Sequence, residues 1–388
     1  MRLVFNKKIS SYIYYLMMFC LPLSVFLDNV ALILLLLVGV LQKGISLKNY
    51  QIVIGSLICL FIYDIFSSVF NGFFLSESAI YLKLVPLLLI PIAMTSLKNN
   101  TKKRGLIYLL FGIVTMQLIA VSGIVNYYYF TEGKKIVLRS YAGINDILLF
   151  ERPYLGYFSS LSVIISYFFF KKEKLWLFIL VTSLSSFLII TMAARLALLI
   201  LIISATLIIS YELKDRILKF GILLVLPAIA VLILAISDTP LKHRFLQIKF
   251  DTRTIVWEGA WDIFNNTPNY LFGYSSQEKI NKELISYYNS REFEYLPEKQ
   301  RFLTKKYNTH NQYLNQLLKG GIFGLIIFLM PFVYLIFKNR SSHNLFYFLM
   351  LLSILMFFSV ENMLERQIGI YTVAIILSIT NEVRLKQF

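Results

Sequence analysis

Apolar runs of roughly 18 residues or more recur from one end of this chain to the other. A helix rising about 1.5 Å per residue needs about 20 apolar residues to cross the hydrocarbon of a bilayer. Hydrocarbon cannot hydrogen-bond a backbone, so such a segment must satisfy its peptide groups internally. A large soluble helical protein is the competing interpretation, but its helices would each need a charged face. The 388 residues are 58% hydrophobic and 15% charged, against about 25% charged in soluble domains. The chain is therefore expected to be an all-α, polytopic integral membrane protein.

The runs predict about twelve helices, near 10–27, 29–42, 51–70, 79–97, 105–127, 154–170, 174–191, 194–211, 217–237, 313–337, 343–360 and 365–381. The first two are divided at Asp28-Asn29, with one long interrupted helix over Tyr12–Leu41 as the alternative. The opening MRLVFNKKIS resembles the basic start of a signal peptide, but no small-residue cleavage site follows, so it reads as the start of the first membrane helix. Cys20 and Cys59 sit inside apolar runs, which suits neither a disulfide framework nor a metal site.

A net charge of +17 raises nucleic acid as a partner. The distribution of charge argues against it. Lys and Arg collect at alternate short junctions, as at Lys98–Arg104, Lys171–Lys174 and Lys338–Arg340, and the other short junctions hold only Arg195 and Arg366. This alternation is how a membrane protein fixes its orientation. It predicts cytoplasmic termini and two long outer loops, 128–153 and 238–312. The chain then divides into helices 1–9 over 1–237, the large loop 238–312, and helices 10–12 with a tail over 313–388. Within the spans, Asp64 and Lys83 fall in neighbouring helices and are expected to pair, since an isolated charge there is expensive.

Residues 250–324 form the one long polar interval, and the chemistry should lie there. Thr309-His310-Asn311-Gln312 fits a capping box, with Thr309 as N-cap and Gln312 reaching back. His310 would occupy the first turn of a helix, a place that favours neutral imidazole and anionic ligands. A merely solvated histidine is the alternative. In DTRTIVWEGAWDIF, Arg253, Trp257 and Trp261 share one helical face behind Asp251 as N-cap. That face suits either an interfacial helix or a guanidinium offered to a diphosphate. Arg195 lies at a very short junction, where a cation needs an anionic partner. Arg139 and Arg152 in the first outer loop are weaker candidates of the same kind. Three histidines exclude a His metal cluster; Asp251, Glu258 and Asp262 keep a metal-dependent version only as a minor alternative. Gly320-x-x-x-Gly324 has the small-residue spacing of close helix packing.

In order, these motifs are R-x-x-x-W at Arg253 and Trp257, P-x-x-L-F-G at Pro268–Gly273, H-N-x-Y-L at His310–Leu314 and G-x-x-G at Gly321–Gly324. With Arg195 and the RPYLGYF stretch from Arg152, they resemble the O-antigen ligase and O-antigen polymerase superfamily. One departure is Gly273-Tyr274-Ser275, where that family often shows a second glycine. The resemblance implies a GT-C-like, metal-independent, inverting glycosyltransferase of the bacterial inner membrane, needing no cofactor. Its donor would be a glycan on undecaprenyl diphosphate, and its acceptor a sugar hydroxyl of lipid A–core or of another glycan. His310 would be the general base, Arg195 and Arg253 the diphosphate clamp, and Asn311, Trp257, Arg152 and Arg139 supporting residues. The arrangement of the His310 loop and the short C-terminus favour ligase over polymerase. A polysaccharide transporter or flippase, and a non-catalytic scaffold, are the readings from other classes.

Overall fold

The computed structural model describes residues 7–42, 44–45, 51–130, 144–213, 218, 252–267, 269–293, 296–339 and 344–382. Among the described residues all regular structure is helical. In chain order the helices are α1 (Lys7–Cys20), α2 (Val25–Leu41), α3 (Gln51–Phe70), α4 (Phe74–Met94), α5 (Asn99–Phe130), α6 (Ile144–Leu148), α7 (Arg152–Phe170), α8 (Leu175–Thr191) and α9 (Arg195–Glu212). They continue as α10 (Thr252–Asn265), α11 (Gln277–Ser290), α12 (Leu296–Lys305), α13 (Gln312–Asn339), α14 (Leu345–Phe358), a 3-10 turn (Met363–Glu365) and α15 (Gln367–Glu382).

Among the described residues, α3, α4, α5, α7, α9 and α13 are long and apolar enough to cross a membrane; α2, α8, α14 and α15 are shorter apolar helices. Of the predicted helix near 217–237, only Leu218 is among the described residues. The apolar window of α7 is 67% buried against 28% for α9, which makes α7 a central helix and α9 a peripheral one. Apolar helices surrounded by lipid gain little from the hydrophobic effect, so small and hydroxylated side chains hold them together. The amide of Gln117 on α5 donates to Ser159 of α7 at 3.0 Å and to Ser185 of α8 at 2.9 Å. Ser162 and Ser185 close that link at 2.8 Å.

The expected break at Asp28-Asn29 is corrected: the chain leaves α1 at Cys20 and re-enters helix at Val25. Pro22 has no amide hydrogen to continue α1. Ser24 then caps α2, its hydroxyl accepting from the amide of Leu27 at 3.5 Å. Asp28 falls in the first turn of α2, where the helix dipole favours an acid.

Helix α13 is interrupted at Gly321, whose φ of 62° and ψ of −161° are not helical. The backbone groups released there do not go unpaired, which hydrocarbon would not tolerate. The loop 269–275 takes them instead: Tyr274 and Ser275 donate to the carbonyls of Leu318 and Lys319 at 2.8 Å each, and Ile322 and Phe323 donate to Tyr270 and Leu271 at 3.0 and 3.2 Å. The L-F-G motif is thus seated in the break. Gly320 and Gly324 form the expected packing face: a Cβ on either would lie 3.1 Å from the Tyr63 ring of α3. Tyr63 donates its hydroxyl to the Gly320 carbonyl at 2.5 Å.

Helices α10, α11 and α12 build a second, smaller core around Val256, Ala260, Ile280, Leu284, Tyr288 and Phe302. Leu318, from the first half of α13, belongs to the same core and ties it to the spans.

Candidate functional site

The site is built where four chain segments meet: the loop before α13, the junction between α14 and α15, and the starts of α7 and α9. The expected capping box is corrected. Asn311 is the cap, its side-chain oxygen accepting from the amides of Tyr313 and Leu314 at 3.0 and 3.1 Å. Gln312 turns away and accepts from the Leu364 amide at 2.9 Å. Thr309 pairs with Asn362, whose amide donates to its hydroxyl at 3.0 Å. Asparagine is as good an N-cap as threonine, and each displaced side chain has a partner across the α14–α15 junction.

His310 therefore precedes the cap and is not in the first helical turn. Its φ is +43°, and the side chain is 29% exposed. Left-handed backbone at a residue other than glycine is strained and persists only where the surroundings enforce it. Here they do: the His310 amide donates to Asn308 at 3.2 Å, and the next amide, of Asn311, donates to Asn362 at 2.8 Å. The ring lies 6.0 Å from that of Tyr307. Nδ1 is buried with no hydrogen-bond partner among the described residues and lies 3.8 Å from Oε2 of Glu361. That spacing is beyond a hydrogen bond, but it puts a carboxylate beside the imidazole in the manner that orients a catalytic base.

Glu361, Asn362 and Glu365 were not among the residues that sequence reasoning selected. Glu365 accepts from Asn308 at 2.5 Å and from Asn362 at 2.8 Å, one donor to each oxygen. Burial raises the Glu365 carboxyl above its usual range, and the two amide donors partly offset this. The signal was present: ENMLER packs three charges into a short turn between two apolar helices, where every charge needs a reason.

The other candidates reach this end of the bundle by separate routes. Arg195 begins α9, and its neighbour Ala194 would lie 3.0 Å from a Cβ on Gly156, in the first turns of α7. Arg152 begins α7, and its amide donates to Asn145 at 3.1 Å. Glu151 pairs with Arg366 at 3.2 Å, and the Tyr154 ring meets Phe357 at 5.6 Å, so the start of α7 abuts the α14–α15 junction. The Tyr154 hydroxyl is buried with no hydrogen-bond partner among the described residues. Arg253 is half-buried in the first turn of α10, the helix expected there. Val256 and Ala260, each three residues beyond Arg253 and Trp257 and so beside that face, pack into the core shared with Leu318. Arg139 and the proposed cap Asp251 lie outside the described residues.

The expected Asp64–Lys83 pair is corrected too. Asp64 meets Lys319 at 3.3 Å, both side chains nearly inaccessible, while Lys83 is exposed and donates to the Glu365 carbonyl at 3.2 Å. Lys319 sits beside the break in α13, so it points where no regular helix was expected to need it. Its ammonium also lies 3.9 Å from Glu77 and 5.1 Å from the centre of the Tyr81 ring. The other oxygen of Glu77 accepts from the Ser276 hydroxyl at 3.0 Å and from the amides of Gln277 and Glu278 at 2.8 and 3.3 Å. A carboxylate from a span thus caps α11, a site where negative charge is favoured.

Among the described residues no group of three or more His, Cys, Asp or Glu side chains is arranged to hold a metal ion. Comparison with curated proteins finds no match. Residues 177–329, which run from α8 through the broken region of α13, match the family model described as O-Antigen ligase, and this match supports the O-antigen ligase superfamily.

Proposed function

We propose that this protein is an inner-membrane glycosyltransferase, with cytoplasmic termini, that moves a glycan from undecaprenyl diphosphate to a sugar hydroxyl of lipid A–core. The observation that carries this reading is the strained, half-buried His310 with Glu361 against Nδ1. In this mechanism Glu361 holds the ring so that Nε2 is the free base. Nε2 takes the proton from the acceptor hydroxyl as its oxygen attacks the anomeric carbon. The bond from that carbon to the diphosphate oxygen breaks, the configuration inverts, and the electron pair leaves with the diphosphate. Arg195 and Arg253 bind the charge that develops there, an electrostatic task suited to bidentate guanidinium groups. A diphosphate leaves readily, so the step asks for no metal ion. Arg152 and Trp257 support the clamp, Asn311 fixes the loop, and Arg139 is proposed for the same diphosphate region.

The same machinery serves an O-antigen polymerase, whose acceptor is another lipid-linked repeat. The lipopolysaccharide of a deletion strain separates the two. Uncapped core with long lipid-linked glycan accumulating supports the ligase; core capped by one repeat unit supports the polymerase. For the chemistry itself, purified His310→Ala is expected to lose transfer, and wild-type rates in that variant would overturn the assignment of the base. A deletion strain that blocks transport while transferase activity stays intact would instead favour a flippase.

A further inference from the structure

Between α10 and α11 lies a polar groove of about 400 Å³. Asp262 stands on its α10 wall; Lys279, Glu283, Ser286 and Tyr287 line its α11 wall; Tyr274 closes one end. The floor includes Ile263, which is buried in the small core. None of these residues belongs to the constellation around His310.

The chemistry of the lining is specific. Asp262 accepts from Asn266 at 3.3 Å, leaving carboxylate lone pairs toward the groove. Lys279 lies 5.0 Å from the centre of the Tyr274 ring. Burial raises the phenol of Tyr287 above its usual range, with Arg291 opposing, so it stays a neutral hydroxyl beside an apolar ring face. Two carboxylates, one ammonium, one amide, two phenol rings and two serine hydroxyls make a wall of polar groups and flat apolar faces with a net charge of −1. In a protein of net charge +17 this is a local inversion. It disfavours anionic ligands and suits a ligand that offers many hydroxyl donors and flat C–H faces, which is a neutral sugar chain. From Lys279 to Tyr287 the wall runs about 12 Å along a helix, which makes it a slot for several linked rings and not for one.

We infer that the α10–α11 groove binds a stretch of neutral oligosaccharide. This rests on the proposed transferase reading for the identity of that sugar chain. Asp262 lies nine residues beyond Arg253 on the same helix, about 14 Å along its axis. With the diphosphate at Arg253, the groove holds sugars several units out along the same glycan.

The test uses the full chain in lipid nanodiscs on an array of neutral and uronic-acid-containing oligosaccharides. Four proteins are compared: wild type, His310→Ala, Glu283→Gln and Ser286→Trp, the last placing an indole at an exposed position in the groove. Wild type and His310→Ala are expected to bind neutral oligosaccharides alike, Glu283→Gln several-fold more weakly, and Ser286→Trp at least 10-fold more weakly. Absence of binding to any neutral oligosaccharide, preference for the acidic ones, or equal binding by Ser286→Trp would overturn the groove assignment. Unimpaired transfer by His310→Ala, with binding still sensitive to Ser286→Trp, would sink the transferase mechanism and leave the groove standing.

Discussion

The Nδ1 atom of His310 and the Oε2 atom of Glu361 lie 3.8 Å apart across two loops separated by fifty residues of chain. A shift of about 1 Å converts this contact into a hydrogen bond, and catalytic hydrogen bonds commonly tighten when substrate binds. Removing the base should lower transfer on the order of 10²-fold or more. Glu361→Gln keeps the shape and loses the charge, so kcat should drop on the order of 10-fold with KM little changed. A purified transfer assay separates the two constants; a rise in KM alone would mean that Glu361 binds substrate and does not orient the imidazole.

Gly273 and Gly321 approach each other backbone to backbone, both at positive φ. A Cβ on Gly321 would lie 2.3 Å from the Leu271 carbonyl, and one on Gly273 would lie 2.5 Å from that of Leu318. Gly321→Ala or Gly273→Ala should therefore destabilise the fold by about 2 kcal/mol or more. Gly55, on α3, has open space where a Cβ would go. Gly55→Ala should be neutral or stabilising by up to about 1 kcal/mol. Thermal unfolding in detergent reads all three, and equal midpoints would refute the seated-loop geometry.

Ser275 closes the Gly273-Tyr274-Ser275 tripeptide, and its φ is +62°. The serine is held there by its hydroxyl, 2.5 Å from that of Ser67 and accepting from Asn71 at 3.1 Å. Left-handed backbone costs a residue with a Cβ about 1–2 kcal/mol. Ser275→Ala keeps that strain and loses the bonds; Ser275→Gly loses the bonds but also the strain. The glycine variant should be the more stable of the two by about 1 kcal/mol, and the reverse order would show that backbone conformation does not set the preference here.

Much of this molecule was legible in the sequence because membrane solvation leaves few alternatives. Runs of apolar residues predicted the positions of α3, α8, α9 and α13 to within a few residues, and the face carrying Arg253 and Trp257 came from simple helical spacing. The failures have two causes. The capping box at Thr309 and the Asp64–Lys83 pair were judged from neighbours in sequence but decided by partners far along the chain: Asn362 for Thr309, and Lys319 for Asp64. The break placed at Asp28 failed for a local reason. The proline at position 22 was a local signal that carried more weight than the charge at Asp28. Periodicity reports which face of a helix is apolar, but it does not report which distant loop will meet it.

The partner exchange at Asp64 is directly testable. A buried pair that loses one member leaves an uncompensated charge, typically costing about 3–5 kcal/mol. Lys319→Met should destabilise strongly, because it strands both Asp64 and Glu77; Asp64→Asn should cost less, because Lys319 keeps Glu77 at 3.9 Å. The double variant should recover part of the Lys319→Met loss, because only Glu77 then lacks the ammonium. Lys83→Ala, at an exposed position, should stay within about 0.5 kcal/mol of wild type. A Lys83 variant as damaging as the Lys319 variant would restore the pairing first expected from sequence.

Glu365 gives the fold a pH dependence of defined sign. Burial raises its carboxyl in the folded protein, so the native state binds more protons than the unfolded chain there. Stability from this group is then fully present below the usual glutamate pKa of about 4.3 and is lost as pH rises through the raised native value. Glu365→Gln abolishes the titration, so its unfolding midpoint should depend less on pH across that interval. The substitution also turns one acceptor into a donor. Asn308 and Asn362 each give an amide hydrogen to a separate oxygen of Glu365, so in the glutamine one of them faces another N–H. That should cost about 1–3 kcal/mol and loosen the loop that holds His310. The variant should therefore be less stable at every pH, with a flatter profile than wild type. An unchanged slope would show that Glu365 is not the group that titrates.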